Sequence, residues 1–195
     1  MWSIIAVIIA VALFAKLSLI FFGRAQDSVR EKALALSIDK SAVALSTFAQ
    51  ASRSYAQANG STSGTTLTVS TLVGASLLPS GFVATNDFGQ TLEAKVGSTP
   101  STIVAYWKGS ASIDRYGLSS GVGAGYRSVQ MRVAQAAIAP LSGVSGALSG
   151  IATGATVDAA APYTKLMLPN ATSGMDTGVS GFSLADQNAL VYLPD

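Results

Sequence analysis

The chain has 195 residues, which suits one domain with an appendage, and 49% of them are hydrophobic against 11% charged. Because it contains no cysteine and no histidine, disulfides, thiolate chemistry, zinc sites and catalysis by an imidazole base are excluded. The net charge of +2 is a small surplus with no cluster or stripe of cations, so nucleic-acid binding is not expected.

The first element is an apolar segment, MWSIIAVIIAVALFAKLSLIFF, whose first charged residue is Lys16. A helix of this length spans roughly 33 Å, against a bilayer core of about 30 Å. The segment lacks the basic flank that precedes the shorter apolar core of a signal peptide. We therefore predict a membrane-spanning or filament-core helix over residues 1–23. A cleaved signal and a buried soluble helix are the alternatives.

Small side chains recur in this segment at helical spacing. Ser3, Ala6 and Ala10 share one helix face, where a second helix could approach closely, although alanine is also simply common in such helices. The residues predicted to pack helix against helix in a filament core are Met1, Trp2, Ser3, Ile5, Ala6, Ala10, Phe14, Lys16, Phe21 and Phe22.

The helical pattern continues past the apolar segment as an amphipathic helix over residues 24–58. Its predicted apolar face, which would pack on the head, consists of Leu34, Ile38, Leu45, Phe48 and Tyr55. No proline precedes Pro79, and the first strong stop signal is Asn59-Gly60. Gly23 stands between the two halves, and glycine costs about 1 kcal/mol in a helix interior. We predict a helix break at Gly23, with a tolerated glycine as the alternative.

Residues 59–195 are predicted to form a globular head domain that contains both helices and strands. The predicted elements are a strand or strand plus turn at 65–72, a strand pair at 92–96 and 102–107, a helix at 128–139 and a terminal strand at 189–193. Residues 141–157 are small and apolar without clear periodicity. Because no βαβ rhythm is present, the predicted fold class is α+β with a small antiparallel sheet.

No motif indicates catalysis. Ser37 and Lys40 match the S-x-x-K pattern of penicillin-recognising enzymes, but the two other signatures of that family are absent. The acidic residues of the head are scattered without ligand-like spacing. We therefore expect no enzyme activity, no metal and no cofactor.

An apolar N-terminal helix that continues as an amphipathic helix beneath an α+β head resembles a type IV pilin. The segments LPSGF (78–82), TN (85–86), FGQ (88–90) and LEAKV (92–96) are similar to the constant region of type IVb minor pilins from conjugative thin pili. SRSY (52–55) and NALVYL (188–193) are similar as well. The resemblance implies the type IV pilin fold. It also implies that a peptidase removes a short basic leader, that Met1 is the processed and often methylated N-terminus, and that the helices of many subunits pack into a filament core.

These features lead us to expect a structural subunit of an extracellular type IV pilus, serving adhesion, motility or conjugation. Its partners would be copies of itself, the inner membrane before assembly, the prepilin peptidase and the pilus assembly machinery. A minor or tip pilin that primes assembly or binds a surface is one alternative. A single-span membrane protein whose head binds an envelope partner is the other. Because basic residues follow the apolar segment and none precede it, export requires an upstream basic leader, which we expect to end in glycine.

Lys16 is the one charge inside the apolar segment. A lysine at mid-span costs about 2.5–3.5 kcal/mol on insertion scales, and less if its ammonium reaches the membrane surface. One hypothesis is that Lys16 meets backbone carbonyls freed where a neighbouring helix loosens near Gly23. The alternative is that it snorkels to the membrane surface.

Overall fold

The computed structural model describes residues 2–116, 118, 124–153, 165–167, 175–176 and 188–195. Over these residues the fold is α+β, as predicted: a long N-terminal helix and an antiparallel sheet. The helices are α1 (Trp2–Asn59), α2 (Val69–Gly74) and α3 (Ala124–Ile138), with 3₁₀ turns at Asp114–Tyr116 and Ala139–Leu141. The strands are β1 (Thr66–Thr68), β2 (Thr91–Val96), β3 (Ile103–Lys108), β4 (Leu148–Thr153), β5 (Lys165–Met167), β6 (Met175–Asp176) and β7 (Ala189–Leu193).

The chain divides into two compact units. We call Met1–Leu36 the stem unit and Ser37–Asp195 the head unit. α1 is one helix of 58 residues, which confirms that the helical pattern continues past the apolar segment to Asn59. It ends where expected, because Gly60 adopts the left-handed conformation at φ +55° and the Ser61 N–H donates to the Ala56 carbonyl at 3.0 Å. This is the hydrogen bond of a Schellman cap, which satisfies a carbonyl that the helix leaves free.

The helix break predicted at Gly23 is wrong for the chain as it stands in this structure. α1 continues through Gly23 without interruption, and a Cβ built there would meet no atom within 4 Å. The physical reason is that one glycine destabilises a helix by only about 1 kcal/mol, and the helical residues on both sides of Gly23 outweigh this cost.

Within the part of the chain that the structure describes, no helix is both long enough and apolar enough to cross a membrane. The predicted membrane-spanning segment, residues 1–23, depends strongly on the side chains of residues 1–12, which lie outside the described residues. That segment stays a prediction.

Among the described residues, the sheet has seven antiparallel strands in the order β1-β2-β3-β7-β4-β5-β6. The predicted strand pair is confirmed, with Leu92 opposite Trp107 and Val96 opposite Ile103. The predicted terminal strand is also confirmed, and it lies in the middle of the sheet between β3 and β4. Residues 103–107 of β3 are all buried, so this strand is covered on both faces and belongs to the core of the head unit.

Two other predicted elements differ from the structure in their bounds or type. The segment 65–72 is a strand only as far as Thr68, and α2 begins immediately after it. Thr68 explains the change, because its hydroxyl accepts from the Thr71 N–H at the helix N-terminus, while Val69 and Leu72 bury one helix face. α3 begins four residues before the predicted start and ends before Pro140, whose ring cannot continue an α-helix interior.

Candidate functional site

The stem unit exposes large apolar side chains along α1. Phe14 is 74% exposed, Phe21 is 68% exposed, and Leu13, Leu17 and Phe22 are exposed to a similar extent. Full burial of a phenylalanine or leucine side chain contributes about 1.5–3 kcal/mol of stabilisation, and an exposed side chain lacks this contribution. A run of them on one helix is therefore a surface that requires a cover.

The structure describes the side chains of only some of the other residues that are predicted to pack in a filament core. Lys16 is exposed, and the helix carries it in the middle of the exposed apolar side chains. The predicted packing residues Met1, Trp2, Ser3, Ile5, Ala6 and Ala10 have side chains outside the described residues. The structure places Phe14, Lys16, Phe21 and Phe22 on one helix, and packing in a filament core stays a prediction for all ten residues.

The second half of α1 buries the face that the periodicity selects. Phe48 and Leu45 are fully buried, and Ile38 and Leu34 are buried as well, whereas Tyr55 is half-buried. Within the head unit, hydrogen bonds add to this packing. Gln50 donates to the Pro140 carbonyl at 3.3 Å, and Gln57 donates to the Ser101 hydroxyl at 3.0 Å.

Ser37 of the S-x-x-K motif takes part in a polar cluster. Its hydroxyl donates to Oδ2 of Asp87 at 2.8 Å and lies 2.7 Å from the Tyr116 hydroxyl. The Arg115 guanidinium donates to that same Tyr116 hydroxyl at 2.7 Å and lies 4.8 Å from the centre of the tyrosine ring. The serine hydroxyl therefore links α1 to the loop that carries Asp87. Among the contacts of the described residues, none joins Ser37 to Lys40.

A buried amide network that no sequence pattern indicates lies in the centre of the head unit. The Gln90 side chain donates to the Gly109 carbonyl at 3.0 Å and to Asn188 at 3.2 Å. Gln130 of α3 donates to Gln90 at 3.1 Å and accepts from the Ala189 N–H at 2.9 Å. Three polar side chains with no exposed surface are thus paired with one another, which joins α3 to β7 and to the chain next to β2 and β3.

The turn that precedes β2 did carry a local signal. Asn86 accepts from the backbone N–H of Phe88 at 3.0 Å and of Gln90 at 2.9 Å, and Gly89 adopts φ +81°. This is an Asx turn closed by a glycine in the left-handed region, for which N-D-F-G is a suitable sequence.

A cross-strand carboxylate lies on the face of β2. Glu93 accepts from the Lys108 ammonium at 2.7 Å and from the Tyr106 hydroxyl. Burial alone would raise the pKa of Glu93, but the hydrogen bonds from Lys108 and Tyr106 and the nearby ammonium charges hold it below its ordinary value. Burial and the adjacent carboxylate raise the pKa of Tyr106. These contacts between the side chains of Glu93, Tyr106 and Lys108 help to fix the register of β2 against β3.

Two spaces within the head unit adjoin α1. A cavity of about 350 Å³ lies between α1 and the loop of residues 83–87, and Trp107 of β3 lines its wall. A second, more open groove of about 400 Å³ is lined by the same helix and by Phe82. Lys40 and Ala44 line both spaces.

Within the described residues, no group of three acidic, histidine or cysteine side chains is arranged to hold a metal ion. Comparison with protein-family models, with characterised proteins and with solved structures finds no match for this chain.

Proposed function

We propose that this chain is a structural subunit of an extracellular type IV pilus, which polymerises by packing the N-terminal part of α1 against the same helix of other copies. The observation that carries the proposal is the exposure of Leu13, Phe14, Leu17, Phe21 and Phe22 along one helix. Apolar surface of this extent is removed from water either by lipid or by a protein partner. Lipid would cover it before assembly and identical helices would cover it afterwards.

The architecture supports the proposal. A continuous helix of 58 residues leads into an α+β head with an antiparallel sheet, and this arrangement is compatible with the type IV pilin fold that the sequence motifs suggest. The motif segments 85–86, 88–90 and 92–96 lie in the Asx turn and in β2. They are structural positions of the head unit, which is where the constant part of a pilin would be expected.

In the proposed route, the precursor lies in the inner membrane, the prepilin peptidase exposes Met1 as the new N-terminus, and the assembly machinery adds the subunit to the pilus. Ile5 stands where the family usually carries a glutamate, so the neutralisation of a neighbour's amino terminus is not supplied by that residue. Lys16 then requires an oxygen partner in the filament or a route to the membrane surface. Since α1 is unbroken at Gly23, the carbonyls there are engaged within the helix in the single chain.

Electron microscopy of material sheared from the cell surface, with an antibody against the head unit, tests the proposal. Abundant fibres labelled along their whole length are the expected result. Fibres labelled only at sparse points would instead favour a minor or tip pilin. The absence of labelled fibres, with the chain retained in the membrane, would favour the single-span membrane protein.

A matched pair of variants tests whether the stem unit packs against neighbouring copies in the fibre. Phe21 and Val83 are both 68% exposed, one in the stem unit and one in the head unit. Phe21→Ala should lower the melting temperature of isolated fibres, because the side chain loses contacts with neighbouring copies. Val83→Ala should leave it unchanged. Equal melting temperatures for both variants and the wild type would count against packing through the stem.

A further inference from the structure

Four large apolar residues of α1 stand seven positions apart, and all of them are exposed. They are Phe22, Val29 and Leu36 of the stem unit and Val43 of the head unit, each 56–69% exposed. Seven residues are close to two helical turns, so an apolar repeat of this period is typical of the seam along which one helix packs on another in a coiled coil. Each unit therefore carries apolar side chains that are spaced for a second helix.

A lysine and an aspartate accompany this repeat, and they too are seven positions apart. Lys32 precedes Leu36 by four positions, and Asp39 precedes Val43 by four positions. Side chains four positions apart are neighbours on a helix surface. Both charged side chains are exposed, and neither forms an ion pair with another described residue. The stem unit thus presents a cation beside a leucine, and the head unit presents an anion beside a valine with the same spacing.

The head unit has a groove at Asp39 and Val43. This open groove of about 400 Å³, which we call the head groove, is the one that Phe82 lines together with α1. Val43, Ala44 and Phe82 give it an apolar lining, and Asp39 and Lys40 supply one charge of each sign. The groove is therefore suited to an apolar helix that carries a cation.

We propose that the head groove of one copy holds the stem unit of a second copy, with the two α1 helices parallel and displaced by seven residues, about 10.5 Å. Leu36 of one copy then packs on Val43 of the next, and the Lys32 ammonium meets the Asp39 carboxylate. The contact joins two different surfaces, so it repeats from copy to copy and builds an open filament. This inference rests on the proposed filament function and adds to it the register of neighbouring subunits.

The charges favour this displacement over other arrangements that match the apolar residues. Without displacement, Lys32 faces Lys32 and Asp39 faces Asp39 in neighbouring copies, and like charges across an interface oppose the contact. An antiparallel arrangement that matches Val29 with Val43 places Lys32 opposite Lys40. At a displacement of seven residues, Lys32 faces Asp39, and the residue opposite Lys40 is an alanine.

Disulfide formation tests the register in a chain that has no cysteine of its own. Fibres of the full-length double variant Leu36→Cys with Val43→Cys are sheared from the cell surface, reduced and then oxidised. A disulfide requires Cα atoms about 4.4–6.8 Å apart. We expect a ladder of dimers, trimers and longer multimers on a non-reducing gel, because each copy links to one neighbour through position 36 and to another through position 43.

Three controls should stay monomeric on the same gel. Leu36→Cys alone and Val43→Cys alone place no second cysteine opposite the first. The matched pair Leu36→Cys with Leu77→Cys moves the second cysteine to an exposed leucine of the head unit that does not line the head groove.

Charge reversal tests the ion pair independently. Lys32→Asp and Asp39→Lys should each lower the yield of fibres by about tenfold, because like charges then face each other between copies. The two substitutions together should restore the yield, since they exchange the charges and keep the attraction. Both side chains are exposed, so the substitutions leave the packing of the head unit intact.

Four results would overturn the proposal. Dimers from either single cysteine variant would indicate undisplaced or antiparallel packing. Abundant fibres without a ladder would indicate another occupant of the head groove and leave the filament function standing, whereas the absence of fibres from the wild-type chain would overturn both. Rescue of Asp39→Lys by Lys16→Asp, and not by Lys32→Asp, would make Lys16 the partner of Asp39.

Discussion

The truncation Phe48→Ala tests the packing of α1 in the head unit most severely. Phe48 has no exposed surface. Removing a fully buried phenylalanine side chain forfeits about 1.5–3 kcal/mol of transfer free energy. The cavity left behind raises the total loss in unfolding free energy to about 3–5 kcal/mol. Because domains are stable by only about 5–15 kcal/mol, this is a large share of what the head unit has.

Urea unfolding followed by Trp107 fluorescence in a Trp2→Phe background measures the loss. With a denaturant slope of about 2 kcal/mol/M, the midpoint should fall by about 1.5–2.5 M. The matched control is Val43→Ala on the exposed side of the same helix, which should change the unfolding free energy by no more than about 0.5 kcal/mol. Equal small losses for both variants would refute the claim that this face of α1 belongs to the core of the head unit.

Three further predictions concern the head unit. The depressed pKa of Glu93 contributes stability that is fully present above about pH 4.5 and is lost as the pH falls through the pKa of the folded state. Urea unfolding at a series of pH values should therefore show a smaller loss of unfolding free energy in acid for Glu93→Gln than for the wild type. The difference should be under about 1 kcal/mol, because the lysine partner of Glu93 is largely exposed. Gln130→Leu leaves the buried Ala189 N–H without its acceptor and should cost about 1–3 kcal/mol, with faster hydrogen exchange of that amide; unchanged exchange would contradict the network. Gly97→Ala places a Cβ 2.4 Å from a threonine methyl and should cost about 1–3 kcal/mol by thermal unfolding, whereas Gly81→Ala meets nothing within 4 Å and serves as the control.

The elements that could be predicted from the sequence are those whose signal is local and periodic. The apolar spacing from Leu34 to Phe48 and the stop at Asn59-Gly60 are enough to define α1, because helix formation and capping depend on neighbours within a few residues. The strand pair β2 and β3 has the same character, since one short turn connects them. For these elements the expected and observed bounds agree within a residue or two.

The features that could not be predicted depend on contacts between distant parts of the chain. β7 was expected as a strand, but its place between β3 and β4 is a matter of topology that no local pattern specifies. The amide network joins Gln90 to Gln130 and Asn188 across 40 and 98 positions of sequence, and each residue alone is typical of a polar surface. The bound between β1 and α2 depended on one threonine cap, which competes with the β-branched composition of the segment.

The candidate site divides in the same way. The apolar side chains of the stem could be predicted, because a run of apolar residues with Lys16 as its one charge is visible in the sequence. The cavity at Trp107 could not, since it arises only when α1, β3 and the loop of residues 83–87 come together. Gly23 shows the limit of propensity arguments, because a cost of about 1 kcal/mol did not interrupt a helix of 58 residues.

The state of the purified full-length chain after removal of detergent tests the central claim most directly. A control sample kept in detergent should remain small in sedimentation analysis. On dialysis into detergent-free buffer, the chain should sediment as long polymers that appear as fibres of uniform width by negative-stain electron microscopy, because the exposed phenylalanines of the stem then have only identical helices to cover them. A monodisperse, soluble chain with its stem intact would contradict the account.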